Sequence, residues 1–291
     1  MRGALRLRAL LTGCVLGAVA TAAGAQFNLN RLFDTVKNLG QASTEINEQQ
    51  ETEIGKEYAS LLVGAAPLFD NADAQRYVNQ VGRWLSLNAE RPDLNWRFGV
   101  LDSDNINAFA TPGGYVFITR GLLVRLKSEA ELAGVLGHEI AHVVKKHHLV
   151  ALRKGAGMQA GANILAEFAA ARGTNRMLSD RLVSGVKEVM LRGLDKDDEY
   201  EADRMGVVIA ARAGYDPYGL PAVLQMLQGM NPQDSGLTLL FATHPTPEAR
   251  LDTLESVMGA RLDRFAGQPP AAERFARTLA GPPAGTATQQ K

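Results

Sequence analysis

The chain has 291 residues, of which 46% are hydrophobic, so it can bury a sizeable core in one large domain or two small ones. Its 31 Lys and Arg residues balance 31 Asp and Glu residues, and this zero net charge gives no electrostatic case for nucleic-acid binding. Cysteine occurs once, at Cys14, which excludes a disulfide framework within the chain.

Residues 1–25 have the pattern of a secretory signal peptide. A basic start is followed by the apolar run Ala9–Ala20, which is too short to span a bilayer, and Ala23-Gly24-Ala25 is a small-x-small cleavage signal. Beyond residue 25 we find no apolar stretch of membrane-spanning length. We therefore expect a periplasmic protein without a transmembrane span after cleavage, although peripheral association with the outer membrane is compatible with the sequence.

An alternative reading of the leader makes the protein a lipoprotein. Leu11-Thr12-Gly13-Cys14 resembles a bacterial lipobox, in which Cys14 would become a lipidated N-terminus. Only about five apolar residues would precede that cut, against the usual 7–15. This length favours cleavage after Ala25 over lipid anchoring through Cys14.

The first half of the mature chain combines helices with strand-like segments. Residues 26–47 form an N-terminal segment with helical periodicity, and two amphipathic helices are predicted over Glu48–Val63 and about Ala72–Leu87. Trp96–Leu101 alternates like a strand, and Asn107–Thr119 contains two strand-like pieces.

Pro112-Gly113-Gly114 separates the two strand-like pieces of Asn107–Thr119. One interpretation is an ordinary hairpin turn. The other is an exposed edge strand that pairs with an extended peptide, since such a break suits an edge where another backbone approaches closely. Under the second interpretation the substrate-binding candidates are Gly113, Gly114, Tyr115 and Val116.

A zinc-binding pattern occupies the next helix. Ser128 and Glu131 form a capping box that opens it, and His138-Glu139-Ile140-Ala141-His142 then reads HExxH. Residues four apart share a helix face, so His138 and His142 direct two imidazoles at one spot, as a zinc site needs. Glu139 is placed to accept a proton from the attacking water.

Two histidines require a third protein ligand, and one option is His148, at the spacing HExxHxxGxxH. The glycine that turns the chain in that motif is replaced here by Lys145. A helix that continues carries His148 about 100° off the ligand face and His147 to the opposite side. We therefore predict that both are surface histidines near a helix end.

The other option lies on a later helix, predicted from Glu199 to Ala213. Glu199 and Asp203 are four apart and share a face, so Glu199 can bind metal while Asp203 accepts the outer N–H of a ligand histidine. A solvated acidic helix start is the alternative. Ala202 and the apolar run after it indicate instead that one side of this helix is buried.

The remaining elements are helices and a tail. Helical stretches are predicted at 155–172, 178–191 and 218–230. Thr243-His244-Pro245 opens a last strong helix that runs through Met258, and 263–291 is predicted to be a flexible C-terminal tail with at most a short helix near Phe275.

Two residues near the start of the last strong helix are candidates for the site. His244 lies on the preceding loop, from which it could stabilise the oxyanion, take the fourth zinc position and hold the enzyme shut, or cap the helix. Arg250 could face the same cleft and bind a substrate carbonyl or carboxylate.

Five motifs in a fixed order carry a resemblance to a known family. The motifs are Asn-Ala-Phe-Ala-Thr-Pro-Gly-Gly (107–114), His-Glu-Ile-Ala-His (138–142), Glu-Tyr-Glu-Ala-Asp (199–203), Ala-Gly-Tyr-Asp-Pro (213–217) and Thr-His-Pro (243–245). With them the chain resembles the zinc metallopeptidases that include HtpX, the CAAX prenyl proteases and BepA, over roughly Glu48 to Met258. HtpX and the prenyl proteases are membrane proteins, so the likeness is to the secreted branch.

The resemblance implies a mostly helical α+β, zincin-like metallopeptidase domain, which we bound at 48–262, with a small edge-exposed sheet packed on the HExxH helix. It also implies one Zn²⁺ per chain, held by residues matching His138, His142 and Glu199, with Glu139 as the catalytic base. The expected function is a periplasmic endopeptidase acting on unfolded or misfolded envelope proteins. The alternative is a chaperone or assembly factor for such proteins with latched or vestigial protease activity.

Overall fold

The computed structural model describes residues 46–153, 194–231, 244–268 and 271–280, and the single positions 234, 236, 237 and 240. The predicted signal peptide, most of the N-terminal segment and the helical stretches predicted at 155–172 and 178–191 lie outside these residues. The described elements are α1 (Glu48–Ala65), α2 (Ala72–Ser86), β1 (Arg97–Leu101), β2 (Ala108–Thr111), β3 (Tyr115–Thr119), α3 (Arg120–Leu123), α4 (Glu129–Val144), α5 (His147–Arg153), α6 (Lys196–Arg212), α7 (Gly219–Gln228), α8 (Pro247–Asp263) and α9 (Ala272–Ala280). The predicted fold class, α+β and mostly helical, is confirmed.

Side-chain caps define where the first helices begin. The Asn47 side chain accepts from the Gln50 N–H at 2.9 Å, and the Gln50 side chain accepts from the Asn47 N–H at 3.0 Å. Asn71 accepts from the Ala74 N–H at 3.0 Å at the start of α2. These contacts satisfy backbone N–H groups that a helix start leaves unpaired.

The three strands form one sheet in the order β1-β3-β2, with β3 parallel to β1 and antiparallel to β2. The prediction that residues 113–118 form an exposed edge is therefore wrong, because β3 is hydrogen-bonded on both sides. Pro112–Gly114 is the turn of the β2–β3 hairpin. Gly113 has φ 75° there, and a Cβ on it would lie 2.7 Å from Thr52 Cα of α1, so only glycine fits.

The two outer edges of the sheet differ. On β1, the Gln75 side chain accepts from the Val100 N–H at 2.9 Å and donates to the Val100 carbonyl at 2.8 Å. The same carbonyl accepts from the Phe69 N–H at 2.8 Å. On β2, no further strand pairs with the outer side within the described residues. The sheet thus has one outer edge bonded to its own chain and one, Ala108–Thr111, that no described strand pairs with, although all four of its residues are buried.

Helix α4 runs through the middle of the molecule, and all its residues from Leu132 to Val143 are buried. It approaches α6 very closely at a pair of glycines. A Cβ on Gly137 would lie 2.8 Å from the Gly206 carbonyl oxygen, and one on Gly206 would lie 2.7 Å from the His138 backbone nitrogen. This small-residue contact brings the acidic face of α6 against the HExxH motif of α4.

The segment predicted as a tail contains a docked helix. In α9, Phe275 is only 2% exposed, and its ring centroid lies 6.0 Å from that of Tyr77 on α2. The bounds of the catalytic domain stay a prediction, but the core they enclose also receives a side chain from residues 272–280. None of the described helices combines the length and apolar character needed to cross a bilayer.

Candidate metal centre

Helix α4 starts where the capping pattern predicted. The Ser128 hydroxyl accepts from the Glu131 N–H at 3.2 Å, as a capping box requires. The Glu131 carboxylate, however, accepts from the Lys127 N–H at 2.7 Å instead of that of Ser128. The helix phase set by this start places His138, Glu139 and His142 on buried faces about three to four turns later.

The structure brings His138, His142 and Glu199 together. The two histidine Nε2 atoms are 3.1 Å apart. Glu199 Oε2 lies 3.7 Å from His138 Nε2, and Glu199 Oε1 lies 3.5 Å from His142 Nε2. Ligands around a tetrahedral zinc, with bonds of about 2.0–2.1 Å, are separated by roughly 3.3 Å. The three measured separations fall on either side of that value.

The donor set also fits a cation on chemical grounds. Glu199 is 1% exposed, and its Oε1 has no hydrogen-bond partner among the described residues. A buried carboxylate oxygen without a partner is costly unless a cation compensates it. His138 Nδ1 lies 2.9 Å from Asp203 Oδ1, so the N–H donates to the carboxylate and the Nε2 lone pair faces the cluster.

Asp203 is held in turn by Arg250. Arg250 donates from Nε to Asp203 Oδ2 at 2.8 Å and from an Nη to Oδ1 at 2.5 Å, a two-point contact between fully buried groups. Burial by itself would raise the pKa of Asp203, but the charge and hydrogen bonds of Arg250 lower it well below the usual range. Asp203 therefore stays ionised and orients the His138 ring. Arg250 uses Nε and one of its two Nη atoms in its contact with Asp203.

Electrostatics favour the ligand form of Glu199 and of His142. At His138, burial and the charge of Arg250 would lower the pKa, but the hydrogen bond to Asp203 and the charges of Asp203 and Glu199 outweigh them and raise it. Burial would raise the pKa of Glu199, but the charge and hydrogen bond of His244, followed by the charge of His138, lower it to about 2. Burial, followed by the charge of His138, lowers the pKa of His142 well below its ordinary value. A carboxylate and a neutral imidazole are the protonation states that bind zinc.

His244 lies at the cluster from the loop before α8. Its Nδ1 is 2.5 Å from Glu199 Oε2, and one ligand atom each from His138, Glu199 and His244 fall within 4.8 Å of one another. This position suits a fourth metal ligand as well as a group that contacts the oxyanion. The helix-capping alternative for His244 is not what the structure has, because Thr246 caps α8 by accepting from the Ala249 N–H.

Glu139 lines a cavity beside the cluster. The same cavity is lined by Asn107, His138, His244 and Arg250. Asn107 was not singled out as a site residue by sequence reasoning. It is 1% exposed, and its Nδ2 has no hydrogen-bond partner within the described part of the chain. An asparagine at the start of a motif that ends in Pro-Gly-Gly is the signal that could have identified it.

Two predictions about the end of α4 were wrong. His147 and His148 are not surface residues, since each is only 4% exposed. The helix does not continue past Val144, because Lys146 adopts φ 58° and a separate helix, α5, starts at His147. Glu201, two residues after Glu199 on α6, contacts His147.

The hairpin residues proposed for substrate lie elsewhere. Gly113 packs on α1 and donates its N–H to Glu51 Oε1 at 3.2 Å, and Gly114 faces Trp96. Tyr115 and Val116 are paired with β1 and β2. None of these four lies on a free strand edge, so the edge pairing behind their predicted substrate-binding role is absent, and the role itself stays a prediction.

Comparison with known proteins agrees with this geometry. The sequence profile of peptidase family M48 matches residues 72–258, more than half of the chain. The beta-barrel assembly-enhancing protease of Escherichia coli K12 is 32% identical over 225 residues, which are 75% of this chain and 46% of that protein. The corresponding Yersinia pestis protein is 29% identical over 249 residues, 83% of this chain and 51% of that protein.

A second group of relatives comes from mitochondria. The mitochondrial metalloendopeptidase OMA1 of Schizosaccharomyces pombe is 32% identical over 180 residues, which are 62% of this chain and 51% of that protein. The chain thus spans about half the length of the curated relatives it matches. The match extends over the sheet, both helices of the metal cluster and most of α8. The chain belongs to peptidase family M48.

Proposed function

We propose that this protein is a zinc-dependent endopeptidase of the bacterial envelope. The observation that carries the proposal is the buried cluster of His138, His142 and Glu199, whose spacing suits zinc, beside Glu139 in an open cavity. The family match and the names of the relatives, a protease and a metalloendopeptidase, support the same reaction class.

In this proposal His138, His142 and Glu199 hold one Zn²⁺ per chain, and Asp203 orients His138. Bound zinc would supply Lewis-acid chemistry to the peptide carbonyl and to the attacking water. Glu139 takes a proton from that water and delivers it to the leaving amine. Asn107 donates its unpaired amide hydrogen to the substrate carbonyl, and His244 either assists there or contacts the metal group when no substrate is present.

We place the substrate backbone along the outer side of β2, which no other strand occupies within the described residues. Thr119 N–H donates to the Asn107 carbonyl at 2.9 Å, so alternation along the antiparallel pair turns the backbone groups of Ala108 and Ala110 to that side. The Ala108 N–H there donates to Asn107 Oδ1 at 2.9 Å and both alanines are buried, so substrate pairing requires that this side be uncovered. Ala108 also lines the cavity that contains Glu139. A peptide added to this edge would pass over the HExxH helix in extended form, and backbone pairing of this kind reads side chains weakly.

The cavity beside Glu139 gives one place for a substrate side chain. Its wall is mainly aliphatic, so we propose that it receives an apolar side chain next to the cleaved bond. The aliphatic residues include Leu122, Val135, Leu220, Val223, Leu224 and Leu227.

The proposed substrates are unfolded or misfolded envelope proteins. The leader at 1–25 predicts export, and the Escherichia coli relative is named for enhancing β-barrel assembly. The contact of His244 with Glu199 favours a second possibility, in which the metal cluster is latched and the protein acts mainly as a chaperone or assembly factor.

The test is cleavage of an unfolded model protein by the purified, zinc-loaded chain. We expect cleavage by the wild type, loss with a zinc chelator, and a loss of about 10²–10⁴-fold in Glu139→Gln. Glu139→Gln should keep its zinc and its melting temperature, which shows that only the proton transfer is lost. Full activity of Glu139→Gln would contradict the mechanism.

A folded, zinc-loaded wild type that binds the unfolded protein without cutting it would favour the chaperone alternative. His244→Ala then separates the two forms of that alternative. Cleavage that appears in His244→Ala identifies a latch, whereas binding without cleavage in this variant identifies a chaperone.

A further inference from the structure

All five histidines of the chain are buried at or near the metal cluster. Three of them belong to the cluster or its cavity, and His147 does not. A buried imidazole needs hydrogen-bond partners. His147 has two, and they connect a proposed metal ligand to a carboxylate on another helix.

The contacts form a chain of three side chains. His142 Nδ1 lies 3.0 Å from His147 Nδ1, and His147 Nε2 lies 3.2 Å from Glu201 Oε2. The other Glu201 oxygen, Oε1, pairs with Lys145 Nζ at 2.7 Å. This series of hydrogen bonds therefore starts at the metal cluster and ends at the partly exposed ion pair between Glu201 and Lys145.

The chemistry of the last member sets the direction of every hydrogen bond. The Glu201 carboxylate only accepts, so His147 Nε2 carries the hydrogen and His147 Nδ1 is an acceptor. His142 Nδ1 must then donate to His147. This tautomer leaves the His142 Nε2 lone pair facing His138 and Glu199, where a metal ligand needs it.

We propose that His147 and Glu201 are positioning residues that fix the ring orientation and tautomer of His142. The proposal rests on the proposed function, because it takes His142 as a zinc ligand. His138 has a direct carboxylate support in Asp203. His142 has a carboxylate support that is indirect, because its Nδ1 contacts the His147 imidazole, which in turn contacts Glu201.

The backbone between α4 and α5 is shaped to make this contact. In an uninterrupted helix, His147 would lie about 140° around the axis from His142 and could not reach its ring. Lys146 in the left-handed region, φ 58°, ends that helix and returns the chain. A non-glycine residue in this conformation costs free energy, and such strain persists where the surrounding structure enforces it. Here the turn delivers His147 onto His142.

The hydrogen-bonded series from His142 to Glu201 also connects α4 and α6, the two helices that carry the proposed metal ligands. Glu201 lies on α6, two residues from Glu199, so its side chain leaves the helix in a different direction. Through His147 it contacts the junction between α4 and α5. The α6 helix thereby supports both histidines, His138 through Asp203 and His142 through Glu201.

The experiment measures the zinc affinity of the purified apo chain by competition with a chromophoric chelator. His147→Leu, which keeps volume without an acceptor, should weaken zinc binding by about 10- to 100-fold, as losing the partner of a ligand histidine does. His147→Asn, which places an acceptor where Nδ1 stood, should recover most of that loss. The zinc affinity of Glu201→Leu should lie between those of His147→Leu and His147→Asn.

Lys145→Ala is the matched control, because it removes only the surface partner of Glu201. It should bind zinc within about three-fold of the wild type. The d–d absorption of the Co²⁺-substituted chain should change in His147→Leu and Glu201→Leu and not in Lys145→Ala. A role confined to packing would lower the melting temperature without changing this spectrum.

Zinc affinity within about two-fold of the wild type in both His147→Leu and Glu201→Leu, with an unchanged Co²⁺ spectrum, would overturn the proposal. If His147→Leu does not fold, Glu201→Leu decides, since Glu201 is partly exposed. A wild type that binds zinc but cleaves no polypeptide would reject the proposed peptidase and leave this inference standing. A wild type that binds no zinc would reject both.

Discussion

Two buried carboxylates, one on the HExxH helix and one packed against it, have very different hydrogen-bond partners. Glu129, in the first turn of α4, is 3% exposed, and Glu199, beside the middle of α4, is 1% exposed. Glu129 accepts from the Tyr77 and Tyr215 hydroxyls, and from Arg274 at 2.8 and 2.6 Å. Glu199 meets His244 through Oε2, but its Oε1 has no hydrogen-bond partner among the described residues.

The difference separates a carboxylate whose partners the protein supplies from one that is suited to hold a metal ion. Each ionised carboxylate loses its hydration on burial and must be compensated. At Glu129 the protein supplies every partner, from α2, from the loop after α6 and from α9. At Glu199 the compensation is incomplete and two imidazole lone pairs face the same point, as expected where a cation completes the site.

The largest expected effects come from exchanging the two carboxylates for amides. Glu199→Gln should weaken zinc binding by more than about 100-fold, since even partners outside the ligand set are worth 10- to 100-fold. Its apo form should lose less stability than Glu129→Gln does, because Glu199 Oε1 has no hydrogen bond to lose, although the lowered pKa of Glu199 shows that the folded state favours its charge. Calorimetry of the apo protein and zinc competition measure the two quantities.

Glu129→Gln should instead lose stability and keep its zinc affinity. Losing a buried charge that Arg274 and two tyrosines satisfy should lower the free energy of unfolding by about 3 kcal/mol. Zinc affinity should stay within about three-fold, because the first turn of α4 lies about 14 Å along the helix from His138. The comparison breaks if both variants lose zinc, or both lose stability, to the same degree.

Alkaline pH should lower the stability that the Glu129 cluster, formed by Glu129, Tyr77, Tyr215 and Arg274, contributes to the fold. Burial, together with Glu129, raises the pKa of both Tyr77 and Tyr215 above the ordinary value of about 10. Because the folded pKa is raised, their contribution to stability is complete below pH 10. It is lost as the pH rises further, by up to about 1.4 kcal/mol per pH unit for each tyrosine.

Chemical denaturation at pH 8 to 11 measures this loss. The double variant Tyr77→Phe, Tyr215→Phe should lose stability less steeply than the wild type above pH 10. Tyr200→Phe, outside the cluster, is the control and should follow the wild-type slope. An equal slope in the double variant would show that the cluster is not responsible.

The smallest expected effect lies at Lys146, in the left-handed turn between α4 and α5. Lys146→Gly should raise the free energy of unfolding by about 0.5–1 kcal/mol, because glycine adopts φ 58° without a Cβ penalty. The ion pair with the buried Glu51 is long, at 3.7 Å, and Arg91 still donates to both Glu51 oxygens at 2.8 and 3.0 Å, so its loss offsets little of this gain. Zinc affinity should not change.

Lys145→Gly is the matched control for that turn. Lys145 has φ −82°, an ordinary helical value, so glycine there should lower the free energy of unfolding by about 0.5–1 kcal/mol. Both variants are compared by urea denaturation. A loss of stability in Lys146→Gly would show that the left-handed turn is not strained.

The local pattern of the sequence determined much of the site. Helical spacing predicted that His138 and His142 share a face and that Glu199 and Asp203 share another, and the structure places all four together. The strand segments and the starts of α1, α2 and α4 were also predictable. These features depend on residues within one or two turns or on alternation along a strand, which the sequence carries directly.

Only the tertiary structure decided strand order and the environment of the remaining site residues. Nothing local shows that Tyr115–Thr119 lies between two strands, so the sequence predicted an edge strand where the structure has the central one. Nor does periodicity show that Lys146 turns left-handed and buries His147 against His142. One backbone angle redirects everything after it, and such an angle is set by contacts between segments far apart in the chain.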